Sequence, residues 1–98
     1  MAGMSLSTHV LDTGRGRPAA GVRVQLFDSA GALVGDALTD EDGRIHELAE
    51  TAAGTYRIVF HPPSPFFKKV ELEIELGDGH HHVPLLISSY SCASYRGS

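Results

Sequence analysis

Val70-Glu71-Leu72-Glu73-Ile74-Glu75-Leu76 alternates apolar and acidic residues without a break. A period of two places Val70, Leu72, Ile74 and Leu76 on one side of an extended chain and the glutamates on the other. That is the pattern of a strand with one buried and one solvated face. Working back from this stretch, His61-Pro62-Pro63-Ser64-Pro65 removes the donors a ladder needs and separates it from another alternating run, Thr55 to Phe60. Farther back, Val22 to Phe27 alternates and ends in the turn residues Asp28-Ser29-Ala30-Gly31, after which Ala32 to Thr39 forms a weaker strand. Asp40-Glu41-Asp42-Gly43 is a turn that leads into Arg44-Ile45-His46-Glu47-Leu48. Leu6 to Asp12 reads as the first strand, closed by Gly14-Arg15-Gly16-Arg17-Pro18. Only the alanine-rich stretch from Glu47 to Ala53 suggests a helix. Toward the other end, Gly77-Asp78-Gly79 turns the chain into a strand over His80 to Ile87, and Tyr90 to Ser98 forms a last one after Ser88-Ser89. Roughly seven to eight short strands with frequent turns predict an all-β, two-sheet sandwich with at most one short helix.

With 98 residues, 42% of them hydrophobic, there is material for a single domain spanning residues 1–98. A chain of this size hides only about 60–65% of its unfolded surface, so oligomerisation is a natural supplement. The eight lysines and arginines are scattered and the formal charge is −4, which argues against nucleic acid as a partner. No apolar run approaches the roughly 18 residues that span a bilayer, and Met1-Ala2-Gly3-Met4 does not begin an export signal, so no membrane partner is expected. A lone Cys92 has no partner for an internal disulfide, and the expected compartment is the cytoplasm.

Gly16 to Val24, Thr39 to Arg44 and Gly54 to Ile58 resemble prealbumin-like modules in general, which include enzymes, carriers and spacers. The ends of the chain are more specific. Ser5-Leu6-Ser7-Thr8-His9-Val10-Leu11-Asp12-Thr13, His82-Val83-Pro84-Leu85-Leu86 and the terminal Tyr95-Arg96-Gly97-Ser98 resemble the signature blocks of the transthyretin-like 5-hydroxyisourate hydrolases. That resemblance implies a catalytic set of His9, Arg44 and His82, with Tyr95, Arg96, Gly97 and Ser98 binding substrate. It also implies a homotetramer with sites in a channel between dimers, and hydrolysis of 5-hydroxyisourate to 2-oxo-4-hydroxy-4-carboxy-5-ureidoimidazoline in urate breakdown. The chain departs from the family at Ser89, Cys92 and Ala93, where proline, tyrosine and serine are usual. Between Phe60 and Phe66 it lacks about 8 to 10 residues, on the order of two helical turns.

The residue types suit that chemistry on their own terms. Ser7, His9 and Leu11 share one strand face, opposite the more apolar Leu6, Thr8 and Val10, while His82, Pro84 and Leu86 share a face, as do Ala93, Tyr95 and Gly97. Opening a cyclic ureide calls for a water deprotonated near neutral pH, a task for imidazole with its pKa of about 6.5. It also calls for a cation at the oxygen that gains charge, a task for the forked guanidinium. General-base or water-orienting work falls to His9 and His82, oxyanion and substrate anchoring to Arg44, and no cofactor is called for. Taken singly, His9 would be a solvated strand histidine, Arg44 an exposed charge and Tyr95 a packing aromatic. His80 and His82 share a face and could chelate, but no third ligand stands at a diagnostic spacing, Asp78 being the nearest prospect, so no metal is expected. Glu71, Glu73 and Glu75 read as a solvated face, and His46 and His61 as structural. The rival is a non-catalytic small-ligand carrier like transthyretin, which lacks the histidine before the Leu-Leu block and the terminal tetrapeptide; a spacer module is a third reading.

Overall fold

The computed structural model describes residues 3–97, and among them all regular structure is β. The strands are β1 (Met4–Asp12), β2 (Arg17–Pro18), β3 (Arg23–Asp28), β4 (Leu33–Leu38), β5 (Arg44–Thr51), β6 (Gly54–His61), β7 (Val70–Leu76), β8 (Gly79–His82), β9 (Leu85–Ile87) and β10 (Cys92–Ser94). One sheet is antiparallel, in the order β4-β3-β6-β7. The other is built around β1. Along one of its edges lie β5 and then β2, along the other β8 and then β9, both parallel to it, with β10 outside β9.

The alternation of β1 explains its central place. Met4, Leu6, Thr8 and Val10 are buried between the sheets, where Met4, Leu6 and Val10 join Val24, Leu26, Ile58 and Phe60 in one core cluster. Slipping β1 by one residue would put Ser7, His9 and Leu11 inside instead. Since burying each large aliphatic side chain is worth about 1.5–3 kcal/mol, the register is firmly set and His9 is held on the outer face. The acidic side of β7 is solvated as expected, and Glu71 pairs with Arg57 at 2.7 Å and Lys69 at 3.5 Å.

Four local expectations change. The helix over Glu47 to Ala53 is absent, and β5 continues as strand to Thr51. Leu6 faces Ala49 and Thr8 faces Ile45, so more residues lie between these pairs on β5 than on β1. This bulge buries Ile45, Leu48 and Ala49, whose i, i+3, i+4 spacing imitates a helical face in the sequence. The strand expected over His80 to Ile87 divides at Val83-Pro84, because Pro84 has no N–H to offer. There the buried Thr8 hydroxyl donates to the Val83 carbonyl at 2.6 Å, while the Val83 N–H donates to the Ser7 carbonyl at 3.0 Å. The last strand contracts to Cys92–Ser94, and Arg17–Pro18, expected as turn, forms a short strand against β1. The shortened connection after β6 holds no helix; Ser64 Oγ accepts from the Phe66 and Phe67 amides and donates to the Ser89 carbonyl.

Candidate active site

His9 and Arg44 stand directly opposite each other in the β1–β5 ladder, so their side chains leave the same face, with Cβ atoms about 4.5–5.5 Å apart in such a pair. The turn before Arg44 fixes where β5 begins. Asp40 Oδ1 accepts the amides of Asp42 and Arg44, each at 2.9 Å, and the Asp40 carbonyl accepts the Gly43 amide at 2.9 Å. The bond from the Arg44 amide, more than any other influence, holds the Asp40 carboxyl below the usual carboxylate range. Gly43 has φ of +75°, and a β-carbon there would lie 2.4 Å from the Val10 carbonyl oxygen. The same turn orients His9: its Nε2 lies 2.8 Å from the Asp42 carbonyl oxygen, which can only accept. The proton of the neutral ring therefore sits on Nε2, and the Nδ1 lone pair is left for another partner.

His82 closes β8 beside Ser7, its parallel ladder partner. Ser7 Oγ lies 2.8 Å from His82 Nδ1 and 3.0 Å from His80 Nε2, and Ser5 Oγ lies 2.7 Å from His80 Nδ1. Burial first, then the neighbouring Arg44, His9 and His80, push the His82 imidazole below its ordinary value, which leaves it uncharged near neutral pH. The chain's tail returns to this ring. The Gly97 amide donates to the His82 carbonyl at 2.7 Å, in a register that continues the β9–β10 pairing past Pro84. A β-carbon at Gly97 would lie 2.8 Å from His82 Cδ2 and 3.3 Å from its Cβ, so the close approach requires glycine.

Residues 6–97 match the model of the HIUase/Transthyretin family. This chain belongs to that family. It is similar to the 5-hydroxyisourate hydrolase of Deinococcus radiodurans, with 42% identity over 113 aligned positions and 95% of each chain covered. That alignment is longer than the 98-residue chain, so it includes positions that this chain lacks. Among solved structures, 5-hydroxyisourate hydrolase of Klebsiella pneumoniae superposes with a TM-score of 0.87 at 32% identity, covering 97% of this chain and 99% of that one. Sea bream transthyretin in complex with thyroxine superposes with a TM-score of 0.83 at 25% identity, covering 94% and 93%. An enzyme and a hormone complex thus share the HIUase/Transthyretin fold, and the site has to distinguish them.

Within this family member, the fold brings His9, Arg44, His82 and Gly97 to one face of the β1 sheet. His9 and His82 are half-buried and Arg44 is exposed. Tyr95, 56% exposed, and Arg96 lie elsewhere, on the rim of a groove of about 440 Å³ that opens between β7 and β10 and is lined by Leu72 and Ile74. Ser98 lies outside the described residues. His80 and His82 do not face a common empty position, since the Ser7 hydroxyl stands between their rings. Among the described residues no three His, Cys, Asp or Glu side chains gather as a metal site. Ser7 and His80 belong to the hydrogen-bonded site, although in the sequence Ser7 carried no role and His80 was offered only as a metal ligand that was set aside. The signal was there in the alternation of Ser5, Ser7 and His9 on one strand and His80 and His82 on another, but the parallel register that joins them is a product of the fold.

Proposed function

We propose that this chain is a hydrolase that opens 5-hydroxyisourate in urate catabolism, with His9, Arg44 and His82 as its catalytic residues. The observation that carries this is the outward-facing His9–Arg44 pair beside an imidazole kept neutral by burial and by Arg44. His82 Nε2 takes a proton from water as the oxygen bonds to the ring carbonyl carbon. His9 Nδ1 accepts the water's other hydrogen and fixes its approach, and the Arg44 guanidinium meets the oxygen that gains charge. Collapse breaks the ring C–N bond, and the nitrogen takes the proton back, leaving a carboxyl group and a ureido N–H. None of these three roles calls on a cofactor.

The working form in this reading is a homotetramer in the cytoplasm, where the Cys92 thiol stays reduced. Support for assembly comes from the open position of the cluster, which one chain leaves unroofed, and from the outer edges of β7 and β10, which pair with no strand among the described residues. Gly97 supplies a wall against which a planar ring can lie, with Tyr95, Arg96 and Ser98 completing the substrate site in the assembled protein. A transthyretin-like carrier would have no use for the His9–Arg44–His82 constellation.

The test is to generate 5-hydroxyisourate with urate oxidase and follow its ultraviolet decay with and without the protein. His9→Ala, Arg44→Ala and His82→Ala are each expected to lower the catalysed rate by about 10²–10⁴ while the fold survives. A loss below about threefold removes that residue from the catalytic set, and no acceleration by the intact protein favours the carrier.

A further inference from the structure

We propose that Ser7 and His80 form a reversible proton relay that shares the charge His82 acquires during catalysis, which makes both of them positioning residues for the hydrolysis proposed above. The relay rests on that reading for its purpose, but on geometry for its existence. Ser7 Oγ is within hydrogen-bonding distance of both rings, 2.8 Å from His82 Nδ1 and 3.0 Å from His80 Nε2. A hydroxyl has one proton to give. It therefore donates to one ring and accepts from the other, and the direction of the whole chain is set by which ring holds the proton facing it.

With the resting proton on His82 Nδ1, its Nε2 is the free base. When Nε2 takes a proton from water, the His82 Nδ1–H bond breaks as a new Ser7 O–H bond forms. The original Ser7 O–H bond breaks at the same time, and His80 Nε2–H forms. Ser7 is unchanged, and the positive charge has moved from His82 to His80. When the ring nitrogen leaves and takes the Nε2 proton, the same bonds shift back and restore the starting state. Over the turnover the relay neither gains nor loses a proton.

The two rings sit in different surroundings. His82 is half-buried and is faced by His9 from β1 and Arg44 from β5. His80 is exposed, with its Nδ1 at 2.7 Å from Ser5 Oγ, and opens on a cavity of about 560 Å³ that Ser5 and Glu50 also line. Glu50 stands opposite Ser5 in the β1–β5 ladder and lines the same solvent-open cavity. His46, the one histidine on β5, is directed to Asp40 at 3.7 Å.

The experiment compares the intact chain with Ser7→Ala, Ser7→Thr and His80→Ala, checking fold by thermal melting. For Ser7→Ala and His80→Ala the expected result is a fall in kcat of about tenfold or more, with KM within about twofold, and a proton inventory in mixed H2O and D2O that changes from curved to linear. Ser7→Thr keeps the hydroxyl and is expected to retain most of kcat. Independently of any activity, 15N spectra of the imidazoles should show His80 and His82 titrating as a coupled pair in the intact chain and separately in Ser7→Ala. An unchanged kcat in both alanine variants, or a Thr variant as slow as the Ala variant, would overturn the relay. So would independent titration of the two rings in the intact chain. Absence of hydrolysis by the intact protein with coupled titration preserved would instead refute the proposed reaction and leave the hydrogen-bonded relay standing.

Discussion

A β-carbon at position 97 would press on His82 Cδ2 at 2.8 Å, far inside normal contact, and the partner free to move in that collision is the His82 ring, its backbone oxygen lying farther off at 3.2 Å. Gly97→Ala is therefore expected to turn the His82 imidazole away from its working position. The rate should fall at least about tenfold, since a shift of roughly 1 Å at a reacting group can cost a hundredfold. Gly97 is half-exposed near the end of the described chain, so unfolding free energy should change by no more than about 1 kcal/mol. Measuring rate and melting temperature side by side separates the two, and a loss of rate that merely tracks unfolding would make the contact structural. The same ring is expected to set the acid limb of the pH profile. Its pKa in the folded protein is lowered, so His82 is a free base above the ordinary histidine value of about 6.5 and is lost as a base when pH falls through the lowered value. The unfolded chain binds this proton more readily than the folded one, so the stability that goes with a neutral His82 is complete above that ordinary value and declines over the same interval. A pH–rate profile whose acid limb lies above about 6.5 would contradict the assignment of His82 as base.

Among the elements, the turn from Asp40 to Gly43 does more than reverse the chain, because it begins β5 at Arg44 and supplies the carbonyl that orients His9. Gly43→Ala meets two obstacles. The left-handed backbone costs a side chain about 1–2 kcal/mol, and the new β-carbon meets the Val10 carbonyl oxygen and the Ala19 backbone nitrogen at 2.4 and 3.1 Å. We expect this variant to lose more than about 2 kcal/mol in denaturant melts and to lose activity as Arg44 moves. A stability loss within about 0.5 kcal/mol would show that the turn has room to relax. The turn was readable in advance from Asp40-Glu41-Asp42-Gly43, and the β1 faces from strict alternation. The second half of β5 was not. Its bulge places Ile45, Leu48 and Ala49 at helical spacing, and only pairing with Leu6 and Thr8 reveals that they line a strand.

For the whole molecule, the issue is what covers the outer face of the β1 sheet. A single chain leaves Arg44 exposed and the partly apolar sides of β7 and β10 open along a shared groove. Association along these edges would bury apolar surface that so small a domain cannot bury alone, and stacking two β1 sheets would turn an open cluster into an enclosed site. Sedimentation is expected to give a mass of four chains of 10.5 kDa, with specific activity falling on dilution through dissociation. A monomer that keeps full activity would end the shared-channel arrangement.

Alternation, turn residues and proline breaks were enough to establish an all-β sandwich and to put His9 on the face opposite the core, because both follow from local backbone geometry and the cost of burying an imidazole. The identities of His9, Arg44 and His82 as candidates were likewise legible, from the motifs that contain them. Their meeting was not. His9 comes to Arg44 through an antiparallel register, His82 to Ser7 through a parallel one, and Gly97 to His82 across the gap left by Pro84. Each of these contacts joins segments far apart in the chain, and its alignment is chosen by which side chains the shared core will accept, a property of the assembled sheets that no single strand contains.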